Sequence, residues 1–311
     1  HMKRVAVTGV TGAIGIALIE KCVEENVEVL AFVHKNSKRN NRIPKHELVH
    51  LIDCDLDELC DINTDNMQAC DVFYHLGWAA TMGAGRNDMQ MQLKNVQYTL
   101  DAVKLAHRLG CNMFVGVGSQ AEYGRYEGKL NEQTPVFPEN GYGIAKLCAG
   151  QMSRILCEQL AMRPVWVRVL SVYGPYDNEN SMISSTIKSL LQGHRPALTA
   201  GEQQWDYLYS KDAAEALYLL GVSEKAMGVY CLGGGKAQPL RQYVETMRDQ
   251  VDPNQELGFG EIPYADKQVM YLCADIDRLY KDTKFQPKTS FEEGIGKTIE
   301  WMKKGLSYEE A

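Results

Sequence analysis

Tyr142 and Lys146 stand four residues apart, downstream of Ser119 in the run Gly118-Ser119-Gln120-Ala121-Glu122-Tyr123-Gly124. Residues i and i+4 share one face of a helix, so the spacing predicts an ammonium beside a phenol. An unperturbed tyrosine titrates near ~10, too high for a base at neutral pH. A neighbouring cation favours the phenolate and lowers that value, toward the range where general acid–base catalysis is efficient. Phenol, cation and the Ser119 hydroxyl together make a device for moving a proton at a carbinol carbon, with Ser119 holding the substrate oxygen. Alone, YxxxK is an ordinary helical pair, and the elements around it must supply the rest of the case.

The chain opens with a strand, Lys3 to Thr8, that runs into Gly9-Val-Thr-Gly12-Ala-Ile-Gly15 and then an apolar-periodic helix (Ile16, Leu18, Ile19, Cys22, Val23). Strand, glycine-rich turn and helix in that order predict a dinucleotide site, with Gly9 and Gly12 letting the backbone approach a pyrophosphate and Gly15 permitting close packing. The helix N-terminus turns its positive end to the phosphates. Gly9, Thr11, Gly12, Ala13, Ile14 and Gly15 are the candidate contacts. A second strand, Val27 to Val33, ends in His34-Lys-Asn-Ser-Lys38-Arg39 with no carboxylate for a ribose diol. His34, Lys35 and Lys38 suit a 2′-phosphate, so NADP is expected ahead of NAD. After a short strand from Leu48 to Ile52, Asp55, followed by Leu56, is either an acceptor for the adenine amine or an N-cap. A strand from Asp71 delivers the small-residue loop Leu76-Gly77-Trp78-Ala79-Ala80 to the nicotinamide half. Asn95 opens a long helix ended by Gly110, and the strand Met113 to Gly118 brings Ser119 to its carboxyl end, where open α/β sheets bind ligands.

The 311 residues suffice for one large unit or two lobes. With 40 acidic against 33 basic residues the net charge is −7, which argues against nucleic acid or an anionic membrane as partner. No apolar run approaches a membrane span. Nine scattered cysteines without paired metal spacing read as reduced thiols of a cytoplasmic protein, with no metal site expected.

These motifs resemble the extended short-chain dehydrogenase/reductase superfamily, in its nucleotide-sugar epimerase/dehydratase/reductase branch. The resemblance spans nearly the whole chain: Gly9/Gly12/Gly15, Asp55-Leu56, His75-Leu-Gly-Trp-Ala79, Asn95, Ser119 before Tyr123-Gly124, Tyr142-xxx-Lys146, Arg168-Val-Leu-Ser-Val-Tyr-Gly-Pro175, and Trp205-Asp-Tyr-Leu-Tyr with Lys211-Asp212. It implies a Rossmann-like doubly wound parallel sheet over residues 3–173, joined by late elements from 203–232, and a smaller substrate lobe over 174–202 and 233–311. It implies Tyr142 as general acid/base, Lys146 lowering the tyrosine pKa and holding the nicotinamide ribose, and Ser119 binding the reacting oxygen. Leu76, Gly77, Trp78 and Asn95 join the cofactor set. Ala80, Thr81, Gln120, Ser171, Ser181, Trp205, Tyr207 and Arg241 are the candidate substrate contacts. Relatives dimerise through a four-helix bundle, and the multi-faced apolar helices near 94–109 and 144–162 suit such a homodimer.

Departures from the branch pattern discriminate among its reactions. Sugar 4,6-dehydratases place Asp-Glu directly after the Ser or Thr, whereas Gln120 and Ala121 stand here, so dehydration is disfavoured. Trp205 replaces the arginine found near the sugar-nucleotide pyrophosphate, leaving Arg241, Lys267 or Arg195 to supply a cation, and Ser171 replaces an asparagine. Gly233–Gly235 reads as a turn, with a phosphate cradle as the alternative. The leading expectation is an NADP-linked reductase of a nucleotide-bound 4-keto sugar. An NAD-retaining nucleotide-sugar 4-epimerase is the alternative, and a non-catalytic NADP-sensing regulator a third reading that the intact Ser119, Tyr142 and Lys146 oppose.

Overall fold

The structure is a computed structural model that describes residues 1–310, with side chains described through Gly305. The first half of the chain alternates strand and helix: β1 (Arg4–Thr8), α1 (Ala13–Glu24), β2 (Glu28–Val33), β3 (Val49–Asp53), β4 (Val72–His75), α2 (Met89–Arg108), β5 (Met113–Ser119), α3 (Gly141–Gln159) and β6 (Arg163–Val169). Then follow β7 (Ser171–Tyr173), α4 (Met182–Leu191), β8 (Gln204–Trp205), β9 (Tyr207–Tyr209), α5 (Ser210–Val222) and β10 (Gly228–Leu232). The chain closes with β11 (Gln238–Pro239), α6 (Leu240–Val251), α7 (Asp277–Thr283) and α8 (Phe291–Glu310).

Seven strands pair in parallel in the order β10-β6-β5-β4-β1-β2-β3. Strand periodicity sends alternate side chains to opposite faces. Val5, Val7, Val29, Ala31 and Tyr74 therefore meet Leu18, Ile19, Ala213 and Leu217 from α1 and α5. Ala6, Leu30, Phe32, Phe73 and Phe114 meet Ala102, Val103, Leu105 and Ala106 of α2 on the other face. Both faces are covered, as parallel sheets require, and each fully buried large apolar side chain contributes roughly 1.5–3 kcal/mol. The strand order reverses beside β1, which opens a crevice at the carboxyl ends of β1 and β4. A separate apolar cluster, with Ile183, Ile187, Val244, Met247, Ile295 and Ile299 at its centre, joins α4, α6 and α8 beyond that rim. Among the described residues no helix is long and apolar enough to cross a membrane. All nine cysteines are free, and seven are buried.

One helix start differs from the sequence expectation. α2 begins at Met89, six residues before Asn95, because the Asp88 carboxylate accepts from Met91 N (3.2 Å) and caps it. Its polar first turn, Met-Gln-Met-Gln, hides the apolar period. In the first turn of α5, the Asp212 carboxylate accepts from Lys288 N and Thr289 N (3.1 and 2.9 Å), pinning the chain that leads into α8.

Candidate active site

Ser119 is the last residue of β5, and its side chain closes the next turn of chain: Oγ accepts from Ala121 N at 3.1 Å. Tyr142 lies in the first turn of α3, which Asn140 caps by accepting from Gly143 N at 2.7 Å. Glycines flank the tyrosine on both sides for a steric reason. A Cβ at Gly143 would sit 2.3 Å from Ala121 O, and one at Gly141 would sit 2.9 Å from Arg86 O. The helix can thus press its first turn against the Ser119 turn, and the Ser119 hydroxyl reaches the phenol. Lys146, one turn further along α3, donates from Nζ to Val117 O (2.7 Å) and lies 4.1 Å over the Trp78 ring. The three residues predicted from spacing are brought together at one strand end.

Electrostatics in this buried site differ from the simple phenol–ammonium picture. Burial pushes the Tyr142 phenol above its usual value, and the Ser119 hydrogen bond and the Arg86 charge act against that rise. Burial also pulls Lys146 down to about 7. The cation against the phenol ring is Arg86, 4.5 Å from its centroid, and Lys146 stands 5.8 Å away. The cation that acts on the phenol is Arg86 and not the expected Lys146, and burial outweighs it. Arg86 was not among the predicted residues; it sits in Gly83-Ala-Gly-Arg86-Asn87, a segment with no periodicity to mark it. Its Nε donates to Thr81 O, and Ala80 beside it adopts φ +58°, a strained left-handed conformation for a residue with a Cβ.

The glycine turn is shaped for close approach of a dinucleotide. Gly9 has φ +68°, and a Cβ there would lie 2.6 Å from Gly77 N, while one at Gly15 would lie 2.3 Å from Gly9 O. Gly12 is the N-cap of α1 and brings no capping side chain, and the space beside it is open to 4 Å. The first turn of α1, from Ala13 to Gly15, thus begins at an uncapped end with open space beside it. Thr11 O accepts from Arg42 Nη1 at 3.0 Å, which brings an unpredicted cation to the turn. Leu76 and Gly77 pack on this turn, Gly77 N donating to Thr8 Oγ1 (3.1 Å), and Leu56 fills the space a Gly77 side chain would need. Trp78 Nε1 donates to Gln92 Oε1 at 3.0 Å.

Several expected contacts are committed to the protein itself. Asn95 is buried in mid-helix, where it accepts from Ala79 N (3.0 Å) and donates to Ala79 O (2.8 Å); it holds the loop after β4 instead of reaching for a cofactor. His34 Nδ1 lies 2.7 Å from Asp55 Oδ1, so these two candidates form a pair at the rim, and Asp55 also caps the turn Leu56–Glu58. Lys35 and Lys38 are exposed. Ser181 caps α4 and donates to Asp177 Oδ2 (2.9 Å). Arg241 stacks 4.1 Å over Phe259, and Arg195 is ion-paired with Glu256 and Glu261, so neither is directed as a free cation. The amides of Gly234 and Gly235, joined by Ala274 N, donate to the buried Asp206 carboxylate at 2.7, 3.0 and 2.9 Å, which fills the cradle left open for a phosphate. Tyr207 packs edge-on against Tyr173 and Tyr243. Trp205 Nε1 donates to Ser171 Oγ at 2.8 Å, so the two departures from the branch pattern are bonded to each other. Gln120 stands half-buried beside Ser119, and Glu122, fully buried, is bound by Arg168 and Trp166 and cannot reach a substrate.

Comparison with known proteins places this geometry. Residues 5–233 match the family described as the NAD dependent epimerase/dehydratase family. The chain is 27% identical over 189 residues to dTDP-glucose 4,6-dehydratase of Shigella flexneri, a match covering 56% of this chain and 52% of that protein, so that it spans about half the length of that relative. It is 25% identical over 316 residues to a putative UDP-glucose 4-epimerase of Methanocaldococcus jannaschii, covering 96% and 98% of the two chains. UDP-N-acetylglucosamine 4-epimerase from Methanobrevibacter ruminantium M1, solved in complex with UDP-N-acetylmuramic acid, shares the fold with a TM-score of 0.88 at 23% identity, over 98% of this chain and 99% of that one.

Proposed function

The chain belongs to the NAD dependent epimerase/dehydratase family, and from that premise we propose that it is a nucleotide-sugar 4-epimerase that retains NAD. The observation that carries this reading is the pairing of an intact Ser119–Tyr142–Lys146 site with the absence, among the described residues, of any free acid beside it. Gln120 and Ala121 offer no carboxylate, and Glu122 is sealed behind Ser119 at 2.8 Å from its amide. Elimination of water needs an acid or base at a second carbon, whereas inversion at one carbinol needs a single proton carrier. The relatives named as 4-epimerases also match nearly end to end, and they favour epimerisation over the NADP-linked reduction expected from the end of β2.

In this reading Ser119 holds the sugar hydroxyl and Tyr142 removes its proton, then returns a proton to the same oxygen after the sugar has turned over. A bound nicotinamide supplies the hydride acceptor and donor. The α1 amides at Ala13–Gly15 would hold its pyrophosphate and Lys146 its ribose. Arg86 and the Ser119 hydroxyl work against the rise that burial imposes on the phenol. His34 paired with Asp55 gives the ribose diol a hydrogen-bonding partner, which suits NAD, whereas Lys35 and Lys38 suit a 2′-phosphate. The layer of residues 3–173 with 203–232 serves as the cofactor lobe and the remainder as the substrate lobe. The exposed Leu93 of α2 and Ile144, Met152 and Ile155 of α3 form an apolar face suited to a homodimer.

The test is turnover of UDP-, GDP-, CDP- and dTDP-linked sugars with product configuration read by NMR. Epimerisation gives an inverted C4 with no net consumption of NAD(P)H. Stoichiometric loss of NADPH would establish reduction instead, and a 4-keto-6-deoxy product would establish dehydration. Titration with both cofactors decides the nucleotide, and tighter NADP binding would overturn the NAD assignment.

A further inference from the structure

We propose that Arg86 determines specificity by binding a carboxylate that the sugar carries beside its reacting carbinol, so that the preferred substrate is a nucleotide-linked hexuronic acid. This role rests on the epimerase reading for the carbon that reacts. Arg86 belongs to the short turn Gly83–Asn87 between β4 and α2. Its guanidinium carbon stands 4.5 Å from the centroid of the Tyr142 ring, and its Nε donates to Thr81 O. Among the described residues no carboxylate pairs with Arg86, and its two terminal amino groups have no protein acceptor. The residue is half-buried, so those amino groups remain within reach of a ligand.

The backbone that carries this side chain is firmly held. Gln92, buried in α2, donates from Nε2 to Gly85 O at 3.0 Å and to Ala80 O at 2.9 Å. Asn87 Oδ1 accepts from Gly141 N, next to Tyr142, at 2.9 Å. The fold thus fixes the root of the guanidinium against the catalytic helix and leaves its charge unpaired. Lys146, 5.8 Å from the same ring, is a second basic group, and the nearby Glu122 is sealed behind the Ser119 amide. An unpaired, partly desolvated charge is costly, and an arriving anion relieves that cost. The terminal amino groups of arginine form a planar fork that fits the two oxygens of a carboxylate, a match that a neutral hydroxyl lacks. C1 and C4 lie at opposite ends of a pyranose ring. A cation stacked on the phenol that works at C4 therefore meets the substituents of C3 and C5 before the diphosphate on C1. In a hexuronic acid the carboxylate is attached directly to C5.

Calorimetric titration of the NAD-loaded full chain with UDP-glucuronic acid, UDP-glucose and UDP alone tests this without requiring turnover. The native protein should bind the acid roughly 10- to 100-fold more tightly than the neutral sugar, as expected for a hydrogen bond between charged groups. Arg86→Gln should erase that preference and leave the affinity for UDP unchanged. A disturbance of Tyr142 acts on both sugars alike, so the ratio isolates the carboxylate. Arg86→Lys, which keeps the charge and loses the fork, should show a reduced preference and serves if Arg86→Gln does not fold. Equal affinity for the two sugars, failure to bind the acid, or a preference that survives in Arg86→Gln overturns the proposal. An equal weakening of UDP alone overturns it too, by assigning the guanidinium to the diphosphate. Inversion of UDP-glucose with no preference for the acid removes this proposal and leaves the epimerase reading standing, whereas a preferred acid that is bound but not inverted at C4 does the reverse.

Discussion

Replacing Lys146 with methionine should stabilise the protein while disabling it, and the pH dependence of that stabilisation follows from the site. Lys146 is buried, and its value falls from 10.5 to about 7 on folding. A base whose folded value is depressed binds fewer protons folded than unfolded between the two values. The penalty is therefore complete below about 7 and fades as pH rises toward 10.5. At 1.36 kcal/mol per unit, the whole shift corresponds to roughly 5 kcal/mol at low pH. Between pH 6.5 and 9.5 the penalty falls by about 3 kcal/mol. The bond to Val117 O and the contact with Trp78, lost in the variant, subtract a roughly constant amount at every pH. Urea unfolding of native protein and Lys146→Met, at equal cofactor loading and both pH values, should show the stability difference shifting against the variant by about 3 kcal/mol as pH rises. Groups other than Lys146 largely cancel in this difference. A difference that stays constant across that range would refute the assignment of a strained, titrating Lys146.

Tyr142→Phe should keep cofactor affinity and lose kcat by about 10²–10⁴, as expected for loss of a positioned proton carrier; near-native turnover would remove Tyr142 from the chemistry. Gly15→Ala should abolish tight cofactor binding and cost about 1–3 kcal/mol or more in stability, because the added Cβ meets Gly9 O at 2.3 Å and backbone cannot give way as a side chain does; calorimetric titration and thermal melts read both. Met152→Glu combined with Ile155→Glu should yield a folded monomer by light scattering if the α2–α3 face joins two copies, and an unchanged mass would discard that interface.

What could be read from the sequence was whatever repeats with a period or sits at a fixed spacing. The unbroken apolar run Val5-Ala6-Val7 is what a strand buried on both faces requires, and Gly9, Gly12 and Gly15 announce the turn that follows. Ser119, Tyr142 and Lys146 emerged from spacing because helix geometry converts i and i+4 into neighbours. The rest depends on which strands lie side by side. Glu122 meets Arg168 only because β5 pairs with β6 in a register that sets Gly118 opposite Arg168. Asn95 was misplaced as a helix start because its amide serves a loop sixteen residues upstream, and nothing in the local pattern records that. His34 and Asp55 likewise pair across the ends of β2 and β3, which turns a basic-looking strand end into a mixed-charge one.

The site's protonation state follows from a contest that spacing alone judges wrongly. A lysine one turn from a tyrosine suggests an ammonium that ionises a phenol, but burial penalises the charged form of both partners. Tyr142 is pushed up and Lys146 is pulled down, so burial favours the neutral form of each. A neutral phenol is the form that gives a proton to a carbonyl oxygen, whereas removing one from an alcohol needs added positive charge. Two charges outside the pair act on that balance, Arg86 over the phenol ring and the buried Glu122. Arg86 lowers both the phenol and the lysine, and Glu122 raises both. The protonation of the pair is thus set by residues outside the YxxxK spacing.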